Sequence, residues 1–346
     1  MILEAIALST QRLRIGHAGV LVPFEINHPL RVAERTAMLD HISSGRLEVG
    51  LAKSGGKEWD TFCISEQGAA ADLVEGTQLL PRAWCDVPFS WKSPRWCVED
   101  RDVQPKPFQR PHPRLWHTCS SPPSFVRAGE LGVGVLATTL FAPLSALDVM
   151  IKGYRGAIRD SKASAGRFIN NQVGVFTFVH VAESTRAAID SGAPSSALWY
   201  ASSAPRVFNV SREILYAGIR GNTDPRSRPS NAPLAAVERP DPGSVNDPNP
   251  VIALMKREFA GEEIPNEEIF DVIRNLDSVI IGDVATCKRK MERFRDIGVD
   301  RLMCMVQMGE VPHDRIVSTI RCIGRELIPF FRDPVAPSFA MHPTSS

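Results

Sequence analysis

The hydrophobic pattern of residues 28–56 changes its period once. From 28 to 42 apolar residues recur at helical spacing, with Asn27 as a predicted N-cap and Pro29 in the first turn. From 46 to 52 the period becomes two, which predicts a strand whose faces alternate. A helix that leads through a short turn into a strand is the repeating unit of a parallel α/β sheet or barrel. One face of this strand is small or polar, which predicts room for a flat ligand at its C-terminal end: Arg46, Glu48, Gly50 and Ala52.

The same alternation continues along the chain. Apolar segments that predict strands lie at 12–21, 46–52, 114–119, 132–138, 173–182 and 301–307. Amphipathic segments between them predict helices, so the fold class is α/β with a parallel sheet or a (β/α) barrel. Residues 86–113 and 201–250 are rich in proline and polar residues and predict irregular connections, the second either a lid or a solvated loop. The tail, 332–346, predicts disorder.

Composition and charge narrow the class of protein. The chain has 346 residues, of which 43% are hydrophobic and 23% charged, as in an ordinary globular protein. A formal net charge of +1 gives no support to nucleic acid or an anionic membrane as partner, and no apolar run reaches membrane-spanning length. Seven cysteines without CxxC spacing predict reduced thiols and a cytoplasmic location. His112 and His117 have no carboxylate neighbour in sequence, so no metal site is predicted.

Three blocks of the sequence resemble the bacterial luciferase-like flavin-dependent monooxygenases. The first is STQRLRIGHAGVLVP followed by HPLRVAERTAMLDHISSGRLEVGLAKSG, the second is PRLWHTCSSPPSFVRAGELGVGVL, and the third begins IIGDVATCKRKMERFRDIGVDRLMCMVQMGE. The resemblance implies a (β/α)8 TIM-barrel domain over 1–331, with an irregular insertion near 200–275. It also implies an enzyme that uses reduced FMN, or a deazaflavin, together with O2 to oxidise an aldehyde, an alkane, a sulfonate or a similar small substrate. A flavin reductase is then a candidate partner, and the chain is expected to form homo- or hetero-oligomers.

The resemblance further implies where the flavin would lie. Ala18-Gly19 matches a dipeptide whose peptide bond is cis in luciferase and lies against the flavin ring. Lys53 matches an arginine that contacts the FMN phosphate; lysine keeps the charge but loses the bidentate fork. An ordinary strand end and a surface lysine are the alternatives for these two positions.

A serine-rich turn is the remaining part of the implied flavin site. It matches a turn that holds the phosphate in the family and consists of Ser120, Ser121 and Ser124 with two intervening prolines. Hydroxyls and backbone N–H groups ahead of a helix suit an anion, so the physical reading agrees with the resemblance. Simple helix capping is the alternative, and the two roles are compatible.

The barrel predicted in this way is incomplete. About six of the eight βα units of the family are recognisable, so the resemblance implies an N-terminally truncated member, with open edges at 12–21 and 301–307. The family's active-site histidine belongs to the unmatched part, and the catalytic residue is therefore unknown. His17, beside Ala18, is a candidate only if it faces the mouth; otherwise it is structural. Two hypotheses stay open: a flavin-dependent monooxygenase, and a non-catalytic flavin-binding or scaffold relative.

Overall fold

The computed structural model describes residues 2–161, 164–208, 211–222 and 246–332. Its strands are Ile15–Leu21 (β1), Leu47–Ala52 (β2), Phe89–Lys92 (β3), Cys97–Arg101 (β4), Arg114–Thr118 (β5), Gly134–Thr138 (β6), Val173–Ala182 (β7), Ile280–Asp283 (β8) and Arg301–Met305 (β9). Its helices are Ile2–Ser9 (α1), Pro29–Ile42 (α2), Lys57–Thr61 (α3), Glu66–Cys85 (α4), Pro122–Glu130 (α5), Leu144–Asp160 (α6), Thr185–Asp190 (α7), Ala193–Phe208 (α8), Arg212–Ile219 (α9), Pro250–Phe259 (α10), Asn266–Ile273 (α11), Val284–Asp296 (α12), His313–Cys322 (α13) and Ile328–Phe331 (α14). A π-helical turn, Ile323–Leu327, joins the last two.

The main sheet is parallel and follows the order β1-β2-β5-β6-β7-β8, with β9 also paired to β7. The first half of β7 pairs with both β6 and β9, and its second half pairs with β8. Strands β1 and β9 each have one partner in the described part of the chain, so the sheet stays open between them. Helices alternate with these strands, as the sequence predicts. The predicted α/β fold of the TIM-barrel type, with incomplete closure, is confirmed.

The outward face of β2 is the centre of the main core. Leu47, Val49 and Leu51 are fully buried, and each contributes about 1.5–3 kcal/mol by leaving water. Helices α2 and α4 cover this side of the sheet, and the Trp84 indole N–H of α4 donates to the Ala33 carbonyl of α2 over 3.1 Å. The alternation of 47–52 thus decides which side of the sheet the helices occupy.

The start of α2 differs from the prediction in one residue. His28, not Asn27, is the N-cap, because its Nδ1 accepts a hydrogen bond from the Leu30 N–H over 3.3 Å. The Asn27 side chain instead donates to the Leu21 carbonyl over 2.8 Å. Asn27 therefore ties the helix to the end of β1, and the helix still begins at Pro29 as predicted.

The inward face of β2 is filled at its N-terminal end by charge. Both Arg14 Nε and Arg301 Nη1 donate to Glu48 Oε1, over 2.6 and 2.7 Å, and the Trp116 indole N–H donates to Oε2 over 2.8 Å. Burial alone would raise the pKa of Glu48, but the hydrogen bonds and charges of Arg301 and Arg14 outweigh it and hold that pKa below its usual value. The N-terminal end of the polar inward face thus holds a buried ion cluster, and the ligand space expected at the other end of the strand stays a prediction.

Above this ion cluster, one leucine fills the interior across two glycines. A Cβ added to Gly50 would lie 2.9 Å from Leu136 Cδ1, and one added to Gly174 would lie 3.0 Å from Leu136 Cδ2. Only glycine on β2 and β7 leaves room for this side chain from β6. The half-buried Leu136 side chain therefore packs across the inner face of the sheet between β2 and β7.

Two segments predicted to be irregular contain regular structure. Within 86–113, β3 and β4 form an antiparallel hairpin because Phe89 is fully buried and the Trp91 indole N–H donates to Glu75 of α4 over 2.8 Å. Within 201–250, helix α8 continues to Phe208 and α9 follows. Apolar residues of these helices form a second core with α10 and α11, which sequence composition did not indicate: Ala197, Leu198, Tyr216, Ile252 and Ile269.

The remaining predicted irregular segments, 223–245 and 333–346, lie outside the described residues. Ile280–Asp283, which was not among the predicted strands, pairs with the second half of β7. Among the described helices, none is both long and apolar enough to span a bilayer.

Candidate functional site

The predicted flavin residues lie along one edge of the sheet. Leu21 at the end of β1 is in register with Ala52 of β2, and Leu51 of β2 is in register with His117 of β5. Because the strands are parallel, their C-terminal ends meet at the same edge. Gly19, Lys53 and Ser121 therefore lie on the same side of the molecule, which the predicted site requires.

The floor of this edge is built from small residues of three strands. The Ala18–Gly19 peptide bond is cis, as the resemblance implies. A Cβ added to Gly19 would lie 2.9 Å from Ala52 Cβ and 3.2 Å from Thr118 Cγ2, so only glycine lets the strands approach this closely. Ala18 and Thr118 are exposed, so the floor faces solvent. We refer to Gly19, Ala52 and Thr118 as the small-residue floor.

The serine turn, Ser120–Ser124, closes on itself ahead of α5. Ser124 Oγ accepts from the backbone N–H groups of Ser120 and Ser121, over 3.2 and 3.1 Å, and donates to the Ser121 carbonyl over 2.6 Å. The capping role that the sequence allowed is therefore present. Ser120 is exposed and Ser121 is half-buried, so both hydroxyls reach the edge of the sheet. A role in holding phosphate stays a prediction.

Lys53 follows β2 and turns toward the next helices. Its Nζ lies 3.4 Å from Glu66 Oε1 at the start of α4 and 5.1 Å from the centre of the Trp59 ring. The Trp59 indole N–H donates to the Lys53 carbonyl over 2.9 Å. Tryptophan thus contacts both the charge and the backbone of this lysine, whose side chain remains 40% exposed to solvent.

The sequence model of the luciferase-like monooxygenases matches residues 1–301. The chain belongs to the luciferase-like monooxygenase family. This match covers most of the chain, including every strand of the open sheet up to the start of β9.

Curated relatives of this luciferase-like chain are distant in sequence. Protein y4wF of Sinorhizobium fredii is 22% identical over 330 residues, covering 95% of this chain and 80% of that protein. The oxygenase component of the flavin-dependent trigonelline monooxygenase of Acinetobacter baylyi is 28% identical over 141 residues, covering 39% of this chain and 38% of that protein.

Solved structures support the fold of the luciferase-like chain. The oxygenating constituent of 3,6-diketocamphane monooxygenase from Pseudomonas putida, in complex with FMN, has a TM-score of 0.66 at 17% identity and covers 96% of this chain and 83% of that chain. The coenzyme F420-dependent tetrahydromethanopterin reductase of Methanopyrus kandleri has a TM-score of 0.64 at 16% identity, and the match covers 96% of this chain and 87% of that chain. The first of these proteins was solved with FMN and the second is named for coenzyme F420, and both share the fold of this chain.

The mouth of the luciferase-like sheet fits such a cofactor in two respects. The small-residue floor consists of glycine, alanine and threonine, whose side chains have little bulk. In addition, Thr138 at the end of β6 has a buried hydroxyl without a hydrogen-bond partner among the described residues. A buried hydroxyl left unpaired costs about 1–3 kcal/mol, so it suits a site where a ligand group supplies the missing partner. Sequence reasoning missed Thr138 and Thr118; strand alternation on β5 and β6 was the available signal.

The histidines near this edge face the helices instead of the mouth. His17 is in register with the buried Val49, on the side opposite Ala18 and Gly50. Burial, followed by the charge of Arg35, lowers the pKa of His17. Strand alternation turns His17 toward α2, which agrees with the structural alternative given for this residue in the sequence analysis.

A second histidine, His117 on β5, is also structural. Its Nε2 lies 2.7 Å from Thr77 Oγ1 of α4, and burial lowers its pKa to about 4. The ring is neutral at pH 7, and its Nε2 is hydrogen-bonded to Thr77, which links β5 to α4. Neither His17 nor His117 thus presents an acid–base group to the floor.

Proposed function

We propose that this chain is the oxygenase component of a flavin-dependent monooxygenase that binds reduced FMN and oxidises a small organic substrate such as an aldehyde, an alkane or a sulfonate. The observation that carries the proposal is the small-residue floor at the C-terminal edge of a luciferase-like sheet. Because Gly19 has no side chain, Ala52 and Thr118 pack directly against it, and the ring is proposed to lie over this group of small residues.

Each predicted site residue has a role in this proposal. Ala18 and Gly19 lie against the flavin ring, and the Thr138 hydroxyl, unpaired among the described residues, bonds to a polar group of the ligand. Ser120, Ser121 and Ser124 hold the phosphate at the start of α5, where the helix dipole favours an anion. Lys53 supplies the positive charge from the neighbouring strand.

The bound reduced flavin supplies the electrons with which O2 is activated. The chain binds and orients the ring on the floor, and Leu136 packs across Gly50 and Gly174 on the inner face of the same sheet. A flavin reductase is the expected source of reduced flavin, since the similar 3,6-diketocamphane protein is named an oxygenating constituent. We expect the pair to work in the cytoplasm, because all seven cysteines are free.

A second candidate function is a flavin-binding relative without turnover. It is favoured by the direction of His17 and His117, both of which face helices and not the floor. In that case the chain binds FMN on the same floor but leaves O2 uptake at the background rate of free reduced flavin.

Titration of the full chain with FMN, followed by oxygen uptake with reductase-supplied reduced FMN and a panel of aldehydes, alkanes and sulfonates, tests both functions. Binding with substrate-dependent uptake supports the monooxygenase, and binding without it supports the second candidate. A preparation that is folded by circular dichroism but binds neither FMN nor F420 overturns both.

A matched pair of glycine variants on β1 ties the result to the floor. Gly19→Ala places a Cβ 2.9 Å from Ala52 Cβ, whereas a Cβ at Gly16 meets nothing within 4 Å. We expect G19A to weaken FMN binding by about tenfold or more and G16A to change it by less than about twofold. Equal affinities for the two variants would contradict the placement of the ring.

A further inference from the structure

Lys53 is the one predicted phosphate contact that already has an anionic partner. Its Nζ lies 3.4 Å from Glu66 Oε1, and Glu66 occupies the first turn of α4, where the helix dipole stabilises a carboxylate. A phosphate that reaches Lys53 must therefore share the ammonium with this carboxylate or displace it.

Trp59 restrains the same lysine from two directions. The ring lies 5.1 Å from Nζ, within the range of a cation–π contact, and its indole N–H donates to the Lys53 carbonyl over 2.9 Å. A second pair in the same loop, the Ser54 hydroxyl with the Glu58 carboxylate, restrains the segment between them. A flexible lysine side chain has up to about 2 kcal/mol of rotamer entropy, and the contact of the ring with Nζ reduces the part that a ligand must order. The indole N–H bond holds the Lys53 backbone beside the same ring.

We propose that Trp59 and Glu66 set how much the flavin phosphate adds to binding in this chain: Trp59 is a positioning residue for the Lys53 ammonium, and Glu66 competes with the phosphate for it. The inference rests on the proposed function, since it requires flavin at the C-terminal mouth. It goes beyond that function by naming the residues that tune preference for a phosphorylated flavin over an unphosphorylated one.

The physical consequence is opposite for the two residues. Removing the Glu66 charge releases Lys53 from an exposed ion pair and also removes repulsion between a carboxylate and a phosphate dianion. Removing the Trp59 ring leaves the ammonium free to move into solvent. Riboflavin shares the ring system of FMN but has no phosphate. Neither effect therefore acts when riboflavin is the ligand.

The experiment is to measure the affinities of the full chain for FMN and riboflavin and to compare their ratio among variants. We expect E66Q to raise the preference for FMN by about two- to fivefold, the range for an exposed ion pair, and W59A to lower it by a similar factor. W59F keeps a ring but loses the indole N–H, so its ratio should lie between wild type and W59A. E130Q removes a carboxylate from another exposed ion pair, Arg127–Glu130, at the far end of α5, and should leave the ratio unchanged.

Lys53→Ala completes the test as a double-mutant cycle. If the two residues act through the lysine, neither E66Q nor W59A alters the ratio in a K53A background. Equal losses of FMN and riboflavin affinity in W59A would reduce Trp59 to a structural role, and an unchanged ratio in E66Q would remove Glu66 from the proposal. A K53A ratio equal to wild type overturns the inference while flavin binding stands, whereas wild type that binds neither ligand overturns the proposed function with it.

Discussion

Replacing Glu48 by glutamine tests whether the buried ion cluster holds the open sheet together. Glu48 on β2 receives charged hydrogen bonds from Arg14, just before β1, and from Arg301, which opens β9. These two residues flank the opening of the sheet, so one carboxylate bridges its two unpaired edges. Glutamine keeps the shape and one carbonyl oxygen but removes the charge that both guanidinium groups share.

The size of the effect follows from the number and exposure of these contacts. A hydrogen bond to a charged group contributes about 1.5–3 kcal/mol against about 1 kcal/mol for a neutral one. Glu48 is only 6% exposed, but the side chains of Arg14 and Arg301 are 41% and 34% exposed. Turning two charged hydrogen bonds into neutral ones costs about 1–4 kcal/mol. Because solvent screens part of the interaction, we expect less than this upper limit, a loss of about 2–3 kcal/mol in the free energy of unfolding.

Thermal and urea unfolding of E48Q measure this loss. An unfolding entropy of about 2.1 cal/mol/K per residue over 346 residues gives about 0.7 kcal/mol/K, so Tm should fall by about 3–4 °C. E130Q, in an exposed ion pair, is the control and should change stability by less than about 0.5 kcal/mol. If E48Q matches E130Q, the cluster does not stabilise the sheet and the reasoning is refuted.

The pH dependence gives an independent check on the same carboxylate. Because the folded pKa of Glu48 is held below its unfolded value, its contribution is present above the unfolded pKa of about 4.3 and is lost as pH falls through the folded pKa. The stability difference between wild type and E48Q should therefore be full at pH 7 and shrink in acid. A difference that grows in acid would contradict the assigned direction.

Three further predictions concern other sites. His117 has a pKa of about 4 in the folded chain against 6.5 in the unfolded chain, so the unfolded chain binds a proton more readily. The free energy of unfolding should therefore fall by up to about 3 kcal/mol as the pH drops from 6.5 toward 4. In urea titrations H117Q should reduce this dependence on pH. T138V removes a buried hydroxyl that has no partner among the described residues, so the ligand-free chain should gain about 1 kcal/mol, seen as a higher Tm; a loss would mean that the hydroxyl is satisfied. G129A would place a Cβ 2.7 Å from the Tyr154 carbonyl at the α5–α6 contact and should lower the free energy of unfolding by about 1–3 kcal/mol. In the control G156A the added Cβ meets nothing within 4 Å, so this variant should be neutral or stabilising by up to about 1 kcal/mol. Equal melting temperatures for the two variants would argue against close packing at Gly129.

Local patterns were sufficient for six of the seven strands of the main sheet, all except β8. The change of period between α2 and β2 depends only on neighbours in sequence, because a helix and a strand repeat at different spacings. Six predicted strands correspond to β1, β2, β5, β6, β7 and β9, and the family resemblance located the cis bond before Gly19. The hairpin of β3 and β4 was missed because its signal, the burial of Phe89, comes from packing against distant residues.

The sequence by itself determined the α/β fold class and the order of six strands, since both depend on short-range periodicity. The family resemblance selected Gly19, Lys53 and Ser121, and the parallel direction of the strands places them at one edge. Only the tertiary structure decided that Glu48 meets Arg301, 253 residues away, and that Leu136 packs across two glycines. The same holds for the direction of His17 and for the anionic partner of Lys53. These features arise from register and side-chain packing between strands far apart in sequence, and no local pattern encodes which side chains meet there.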